Sequence, residues 1–208
     1  MHLEEEVKLT APDRSALDAV LQDPGVLAVA GRHSVQDRSF LATYYDTPEK
    51  ELLRRKLGFR MRQVGDQWWI GLKGSGSLVA GVSRHLEWEV RSTKPVVRFW
   101  DLPPGPLRDQ VLSIVRADSP VTPLLTTDIH RRTLELDLAE GCRAEMALDA
   151  GIIRAGGKKI PLFEVELESL AGPFAPILAF ATDLTRRHDL VPATLTKFHQ
   201  GVALLGIN

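Results

Sequence analysis

Charged and apolar side chains alternate at the start of the chain. Glu4, Glu6 and Lys8 stand at every second position, and Leu3, Val7 and Leu9 occupy most of the alternate positions. In a β-strand successive side chains point to opposite faces, so these three charged groups share one face. The pattern predicts a strand over residues 2–10 with one ionic face and one largely apolar face.

The same alternation recurs along the chain. Residues 58–64 and 67–73 flank Gly65-Asp66, and they predict a β-hairpin because a turn of this type joins antiparallel strands. Apolar residues between the charged ones would give each of these strands an apolar face as well. The predicted strands after the first cover residues 34–46, 58–64, 67–73, 84–91, 126–137, 142–149 and 162–170.

The remaining segments have the spacing of short helices, turns or loops. Residues 12–22 predict a helix with Asp13 as its N-cap, and the DPG sequence at 23–25 is expected to end it. The Gly/Ser-rich run 74–81 predicts a flexible loop that can approach a ligand. Other helical segments are expected just after Pro48 and near residues 107–116, 174–187 and 195–205.

Eight long strands with few helices favour one architecture. We expect a mainly β (α+β) fold, a closed eight-stranded antiparallel β-barrel tunnel with helices packed outside. The chain has 208 residues, enough for one large domain or two small ones. Since no Pro/Gly linker long enough to separate two domains is present, we expect a single domain over residues 1–208.

Composition narrows the classes of function. The formal net charge is −1, which argues against broad electrostatic capture of nucleic acid or of an acidic membrane. Cys142 is the single cysteine, so no intramolecular disulfide is expected. A signal peptide is not evident, and no apolar run reaches the length of about 18 residues that a membrane span needs. We therefore expect a cytoplasmic protein without nucleic-acid or membrane partners.

Two interpretations fit the ionic strand faces. Antiparallel sheets often turn a polar face to solvent, which is the simpler interpretation for any single strand. However, the charges are sorted by strand, with three Glu on the strand at 162–170 and two Arg on the strand at 58–64. Like charges on one face repel unless something binds between them. The alternative is that the charges line the inside of a wide barrel.

Such a lumen would bind two kinds of group. Carboxylates hold hard divalent cations, whereas Arg and Lys bind phosphate oxygens. Both sets in one lumen suit a metal-bound polyphosphate. The candidate acidic residues are Glu4, Glu6, Glu87, Glu89, Glu145, Asp149, Glu164, Glu166 and Glu168, and the candidate basic residues are Lys8, Arg60, Arg62, Lys73 and Arg143.

An ordered set of short motifs covers essentially the whole chain. They are EEEVK (4–8), YYDT (44–47), GFRMR (58–62), Lys73, EWE (87–89), TDIHR (127–131), AEMALDAG (144–151), FEVELESL (163–170) and TKFHQG (196–201). Together they resemble the CYTH superfamily, also called triphosphate tunnel metalloenzymes, whose signature is ExExK. Their spacing is most similar to that of bacterial CYTH inorganic triphosphatases. Those proteins are often fused to a C-terminal CHAD domain, so a longer parent chain with such a fusion is an expectation.

The resemblance implies an eight-stranded tunnel that cleaves a triphosphate with Mg²⁺ or Mn²⁺, with two ions expected. It places Glu4, Glu6, Glu87, Glu145, Asp149, Glu164 and Glu166 on metal-side positions and Lys8, Arg60, Arg62, Lys73, Arg131 and Lys197 on phosphate-side positions. The strand pattern adds Glu89 to the first set and Arg143 to the second. Glu5 is expected outside the site, and His85 stands where many relatives carry Arg.

For catalysis we expect metal-assisted in-line attack of water on the terminal phosphoanhydride. One ion would bridge triphosphate oxygens, and a second would lie on Glu4, Glu6 and the Glu164/Glu166 pair. Lys8 and Lys73 would offset charge on the leaving oxygens, and Glu166 would accept the proton.

The substrate is a small-molecule triphosphate, with inorganic tripolyphosphate expected first. Thiamine triphosphate, a nucleoside triphosphate, or cyclisation of ATP by a class IV-type adenylate cyclase reaction are the family alternatives. A non-catalytic polyphosphate-binding module is an interpretation of another class. A base-recognition surface is not clear, because core packing is the expected role of Trp68, Trp69, Trp88 and Trp100.

Overall fold

The computed structural model describes residues 2–74 and 76–207. The strands in these residues are β1 (His2–Thr10), β2 (Gln36–Asp46), β3 (Gly58–Val64), β4 (Gln67–Lys73), β5 (Ser77–Val79), β6 (Val82–Ser92), β7 (Thr122–Asp137), β8 (Arg143–Ala155), β9 (Lys158–Ala171) and β10 (Val191–Pro192). The helices are α1 (Arg14–Leu21), α2 (Pro24–Ala30), α3 (Pro106–Leu112), α4 (Ala175–Arg187) and α5 (Lys197–Leu205). None of these helices combines the length and hydropathy that crossing a bilayer requires.

The eight long strands close into a barrel. Their order around the ring is β1-β9-β8-β7-β2-β3-β4-β6, and β1 closes it by pairing with β6 as well as with β9. Each of these pairings is antiparallel. The short strands β5 and β10 are added at the two sides of the seam. The predicted eight-stranded antiparallel barrel is confirmed, including the hairpin of β3 and β4.

The apolar strand faces point outward and are covered by helices. On one side, the outer faces of β1, β8 and β9 pack under α1, α2 and α4, with Leu17 and Leu184 fully buried. On another side, the outer faces of β3, β4 and β6 pack under α3 and the 3₁₀ turn at Phe99–Asp101. Burial of these side chains is the main source of stability for this arrangement. Because the apolar faces point outward, the ionic faces must point into the barrel.

The last helix, α5, fills one end of the barrel interior. Phe198 and Val202 of α5 pack with inward-pointing residues of β2, β7 and β8, including Tyr44 and Leu125. The rings of Phe198 and Tyr44 lie 5.2 Å apart. The predicted packing of helices outside the barrel is confirmed, and α5 adds an apolar plug. Its first residue, Lys197, is thereby placed in the lumen.

Three local predictions differ from the structure. The DPG sequence at 23–25 starts α2 as well as ending α1, because the Asp23 side chain accepts hydrogen bonds from Gly25 N and Val26 N and so caps the new helix. The Gly/Ser-rich run contains the strand β5, although its residue Ser75 lies outside the described residues. The helix predicted near 107–116 ends at Leu112. By contrast, Asp13 caps α1 as predicted.

Candidate active site

The barrel interior is a cavity of about 1150 Å³. Its wall is ionic, although the outer faces of the same strands are apolar. The candidate residues that it brings together are Glu4, Glu6, Lys8, Arg60, Arg62, Lys73, Glu87, Glu89, Arg131, Glu166, Glu168 and Lys197. The charged faces of the strands therefore line a tunnel.

Glu4, His85 and Glu87 form one cluster, here called the acidic triad. Glu4 lies opposite His85 in the pairing of β1 with β6, and Glu87 follows on the same face of β6. One ligand atom from each residue lies within 4.8 Å of the other two. Among the residues that the structure describes, no other set of three or more His, Cys, Asp or Glu side chains converges in this way.

Lys73 contacts the acidic triad and influences how it is protonated. Its Nζ donates to both carboxylate oxygens of Glu4 at 3.1 Å and lies 3.5 Å from Glu87 Oε2. Burial opposes ionisation of Glu4, but hydrogen bonds with His85 and Glu87 and the charge of Lys73 hold its pKa well below the usual range. Burial and the hydrogen bond shared with Glu4 raise the pKa of Glu87 to about 7. The pair titrates jointly, with the proton on Glu87.

Two buried polar atoms at the acidic triad are incompletely paired within the described residues. Glu6 Oε1 has no hydrogen-bond partner there, and His85 Nε2 lies 3.4 Å from Glu4 Oε2 without a well-directed hydrogen bond. The other ring nitrogen of His85, Nδ1, lies 3.2 Å from Ser83 Oγ and 4.0 Å from Glu6 Oε1. Leaving buried polar atoms unpaired is costly. Because carboxylate oxygens and imidazole nitrogens both coordinate divalent cations, these residues fit a metal ion.

A second cluster, here called the ion-pair network, combines carboxylates with cations. Its members are Lys8, Arg131, Asp149, Glu164, Glu166 and Lys197. The Nζ of Lys197 lies 2.6 Å from Glu166 Oε1 and 2.7 Å from Glu164 Oε2. The same Nζ lies 2.9 Å from Asp149 Oδ2. Gln200, one turn along α5, donates to Glu164 Oε1 at 2.8 Å. One helix end therefore compensates three buried carboxylates.

Strand residues complete the ion-pair network. Arg131 donates to Asp149 through Nε and Nη2 at 2.7 and 2.6 Å, and its Nη2 also donates to Glu166 at 2.6 Å. Lys8 donates to Glu166 and, at 2.7 Å, to Glu6. Burial opposes ionisation of Glu166, but the charges of Lys197, Lys8 and Arg131 hold its pKa well below the usual range. Asp149 and Glu166 are thus held in their ionised form, and all three carboxylates of this network are paired with protein cations.

The arginines of β3 face the same cavity. Arg60 Nη2 lies 3.6 Å from Glu87 Oε1 and 4.0 Å from Glu89 Oε2. Arg62 has no ion pair within the described residues, and its Nε is buried without a hydrogen-bond partner there. Burial, reinforced by the charge of Arg60, lowers the pKa of Arg62 to about 10. Among the described residues this positive charge has no carboxylate within 4 Å, as expected of a group that binds an anion.

A sequence profile of the CYTH domain matches residues 2–201. The chain belongs to the CYTH domain family. One relative is an inorganic triphosphatase of Haemophilus influenzae, 28% identical over 162 residues, which are 78% of this chain and 45% of that protein. Another is an uncharacterized protein of Mycobacterium tuberculosis, 33% identical over 141 residues, which are 64% of this chain and 26% of that protein. This CYTH chain spans less than half the length of these curated relatives.

Solved structures share the fold of this CYTH domain. A Hippeastrum protein, described as an adenylyl cyclase candidate with a dominant triphosphatase activity, has a TM-score of 0.72 at 17% identity, covering 99% of this chain and 97% of that one. A protein of Bacillus halodurans, described as an adenylate cyclase candidate, has a TM-score of 0.56 at 15% identity, covering 89% and 92%. At these identities the likeness concerns the fold alone.

Within the CYTH tunnel, some predicted site residues lie apart from both clusters. Arg143 is exposed at the start of β8 and donates to Glu135 at 2.6 Å, so the structure does not bring it to the other phosphate-side residues. Glu145 is half-buried on β8, and burial raises its pKa. Glu89 is more exposed than Glu87 and has Arg60 as its cation. Glu5, which was expected outside the site, lies on the outer face, where it pairs with Arg84.

Sequence reasoning missed two features of this CYTH site. His85 was considered only as a replacement for a phosphate-binding Arg, but it lies between the carboxylates of Glu4 and Glu6. The signal was available in its place opposite Glu4 once β1 and β6 pair. The metal site expected on Glu4, Glu6 and the Glu164/Glu166 pair stays a prediction, and in the structure Lys197 pairs with both Glu164 and Glu166.

Proposed function

We propose that this CYTH domain hydrolyses inorganic tripolyphosphate with the help of a divalent metal ion. The observation that carries the proposal is that the acidic triad and the cationic side chains of β3 and β4 meet in one cavity. Arg60 and Lys73 lie 3.6 and 3.5 Å from Glu87, so a ligand bound by these cations would lie beside the triad. The named activity of the Haemophilus influenzae relative supports the choice of substrate.

The phosphate chain would be held by Arg60, Arg62 and Lys73. Guanidinium groups bind phosphate oxygens through two parallel hydrogen bonds, and a buried charge binds them more strongly than an exposed one. Arg62 is half-buried, has no ion pair within the described residues and has a buried Nε without a hydrogen-bond partner, which favours it as the strongest of the three. Lys8 and Lys197 are already paired with Glu166, so they would contribute less to phosphate binding than these three residues.

The metal would be held by Glu4, Glu6, His85 and Glu87, and we propose Mg²⁺ or Mn²⁺. When bound, such an ion polarises phosphoryl oxygens and makes a coordinated water more acidic. A nitrogen ligand from His85 would favour Mn²⁺, because Mg²⁺ prefers an all-oxygen shell. A second ion on Glu164 and Glu166 stays a prediction, since it would have to displace Lys197.

The proton acceptor is better sought outside the ion-pair network. Glu166 has a pKa well below the usual range because Lys197, Lys8 and Arg131 surround it, so it is a weak base at neutral pH. Its contacts suit a role in holding Lys8 and Lys197. Burial and the charges of Glu4 and Glu6 raise the pKa of Glu168 to about 7, which is the range that a general base needs.

We also propose that residues 1–208 act as one domain. Lys8 lies near the start of the chain and Lys197 near its end, yet both contact Glu166. A cavity built from both regions would require them to fold together. Limited proteolysis that left a stable fragment lacking either region would contradict this.

The test is phosphate release from tripolyphosphate, ATP and thiamine triphosphate, compared side by side with Mg²⁺, Mn²⁺ or a chelator. The proposal expects the highest kcat/KM for tripolyphosphate, with no release in the chelator. Higher turnover of ATP, or formation of cyclic AMP, would assign the domain to a nucleotide reaction instead. Metal-dependent binding of tripolyphosphate without turnover would identify a binding module.

A further inference from the structure

A row of alternating cations and aromatic rings crosses the tunnel wall. Arg62 of β3 lies opposite Trp69 of β4, and Trp69 lies opposite Arg91 of β6. The guanidinium of Arg91 lies 4.3 Å from the centroid of the Trp69 ring, and that of Arg62 lies 5.7 Å from it. Both distances fall within the range of a cation–π contact. Trp69 is therefore flanked by a guanidinium on each neighbouring strand.

The row continues on the other side of Arg62. Its guanidinium lies 4.8 Å from the centroid of the Phe40 ring on β2, and the guanidinium of Arg131 lies 5.7 Å from the same ring. We call the five residues Arg91, Trp69, Arg62, Phe40 and Arg131 the cation–aromatic row. The two rings alternate with three guanidinium groups across five strands. The three positive guanidinium groups are thereby separated by aromatic rings, which attract cations, and not by carboxylates.

The charges of this row are unevenly compensated. Arg131 is paired with Asp149 and Glu166. Arg62 and Arg91 have no ion pair within residues 2–74 and 76–207, and Arg91 is exposed at the end of the row. The rings hold Arg62 in position without neutralising it, since a cation–π contact leaves the full charge available to an anion.

The geometry points to an outer anion subsite. We propose that Arg91 and Arg62 bind the terminal phosphate of a bare phosphate chain, and that Trp69 and Phe40 are positioning residues for these guanidinium groups. This assignment rests on the proposed triphosphatase function and specifies its substrate class. A phosphate chain that ends in a phosphate can bind two guanidinium groups. A nucleobase has no free aromatic ring to stack on here, because Trp69 and Phe40 are already flanked by arginines. The row thus selects inorganic over nucleoside triphosphates.

The first test compares Trp69→Leu, Trp69→Phe and Trp100→Leu by steady-state hydrolysis of tripolyphosphate and ATP. Trp69→Leu should raise the KM for tripolyphosphate about threefold to tenfold, with kcat within about twofold, and Trp69→Phe should recover most of it. Trp100 is the matched control, because the guanidinium of Arg108 lies 3.9 Å from its ring outside the tunnel. Trp100→Leu should leave both constants unchanged. A Trp69→Leu enzyme with wild-type KM would overturn the inference.

The second test uses Arg91→Gln. Because Arg91 is exposed, this variant should fold even if Trp69→Leu does not. Arg91→Gln should lower the ratio of kcat/KM for tripolyphosphate over ATP about threefold or more. Calorimetric binding of tripolyphosphate by the same variants separates this inference from the proposed function. Weaker binding by Arg91→Gln, even in the absence of turnover, supports the subsite. Wild-type binding and wild-type selectivity in Arg91→Gln contradict it, while hydrolysis itself stands.

Discussion

The acidic triad and the ion-pair network use the same residue types in the same tunnel, yet their charges are balanced differently. In the network, Glu166 alone receives hydrogen bonds from Lys8, Arg131 and Lys197. In the triad, Lys73 is shared by Glu4 and Glu87, Arg60 lies 3.6 Å from Glu87, and the pKa of Glu87 is still raised to about 7. The network is complete within the protein, whereas the triad needs a further positive charge.

This difference separates a structural from a ligand-binding role for carboxylates that look alike in sequence. Buried carboxylates that have protein cations lose a great deal when either partner is removed. Carboxylates whose pKa is raised by burial and by a neighbouring carboxyl group gain from a metal ion, which favours their ionised form. We therefore expect substitutions in the two clusters to affect different properties.

The largest effect is expected on stability. Glu166→Gln should lower the free energy of unfolding by about 3–5 kcal/mol, because three buried cations lose their shared counter-charge. Glu87→Gln should lower it by less than about 1 kcal/mol, since the side chain is already half protonated near neutral pH. Denaturant unfolding of both variants, without metal, measures the two values. Equal losses would remove the distinction between the clusters.

A second prediction concerns the pH dependence of stability. The pKa of Glu87 is raised from its ordinary 4.5 to about 7, so the folded protein binds more protons than the unfolded chain between these values. Stability should therefore fall as the pH rises through this window. Asp149 and Glu166 have lowered pKa values, so their contribution is lost only as the pH falls below the ordinary carboxyl range.

The check is denaturant unfolding at about pH 5, 6 and 7 in a chelating buffer, for wild type and Glu87→Gln. The variant should show a shallower fall across the window. An identical slope would mean that Glu87 is ionised at all three pH values, and that the triad resembles the network. Glu168, with its pKa also raised to about 7, and Glu145, whose pKa is raised by burial, contribute to the slope that remains.

The smallest effect is expected at Arg143. Its partner is Glu135, and both side chains are about half exposed. Arg143→Gln should change the free energy of unfolding by less than about 0.5 kcal/mol, because exposed ion pairs contribute little. It should change kcat/KM for tripolyphosphate by less than about twofold. A large rise in KM would return Arg143 to the phosphate-side residues, where the strand pattern placed it.

Much of the barrel could be predicted from sequence because alternation is a local property. Glu4, Glu6 and Lys8 share a face in any strand, and Gly65-Asp66 specifies its hairpin by turn geometry. The helix start at Asp23 was missed because one DPG sequence both ends and starts a helix. The Asp23 side chain caps α2, but a Pro-Gly pair after an aspartate is more often a sign that a helix ends.

The division of the site into two clusters could not be predicted, because it depends on contacts between distant segments. Lys8 meets Glu166 only when β1 pairs with β9 in the observed register. Lys197 reaches Asp149 only because Phe198 and its neighbours carry α5 into the barrel end. Alternation shows which residues face inward, and it does not show which carboxylates receive a protein cation.

The inward carboxylates of β1 are proposed to support metal-dependent triphosphate hydrolysis, and two adjacent positions, Glu4 and Glu5, test this most directly. Phosphate release from tripolyphosphate would be measured against Mn²⁺ concentration for Glu4→Gln, Glu5→Gln and wild type. Glu5, on the outer face with Arg84, is the matched control. We predict that Glu4→Gln loses at least about 100-fold in kcat/KM and that Glu5→Gln keeps wild-type activity. Activity that survives in Glu4→Gln, or falls equally in Glu5→Gln, would contradict the claim.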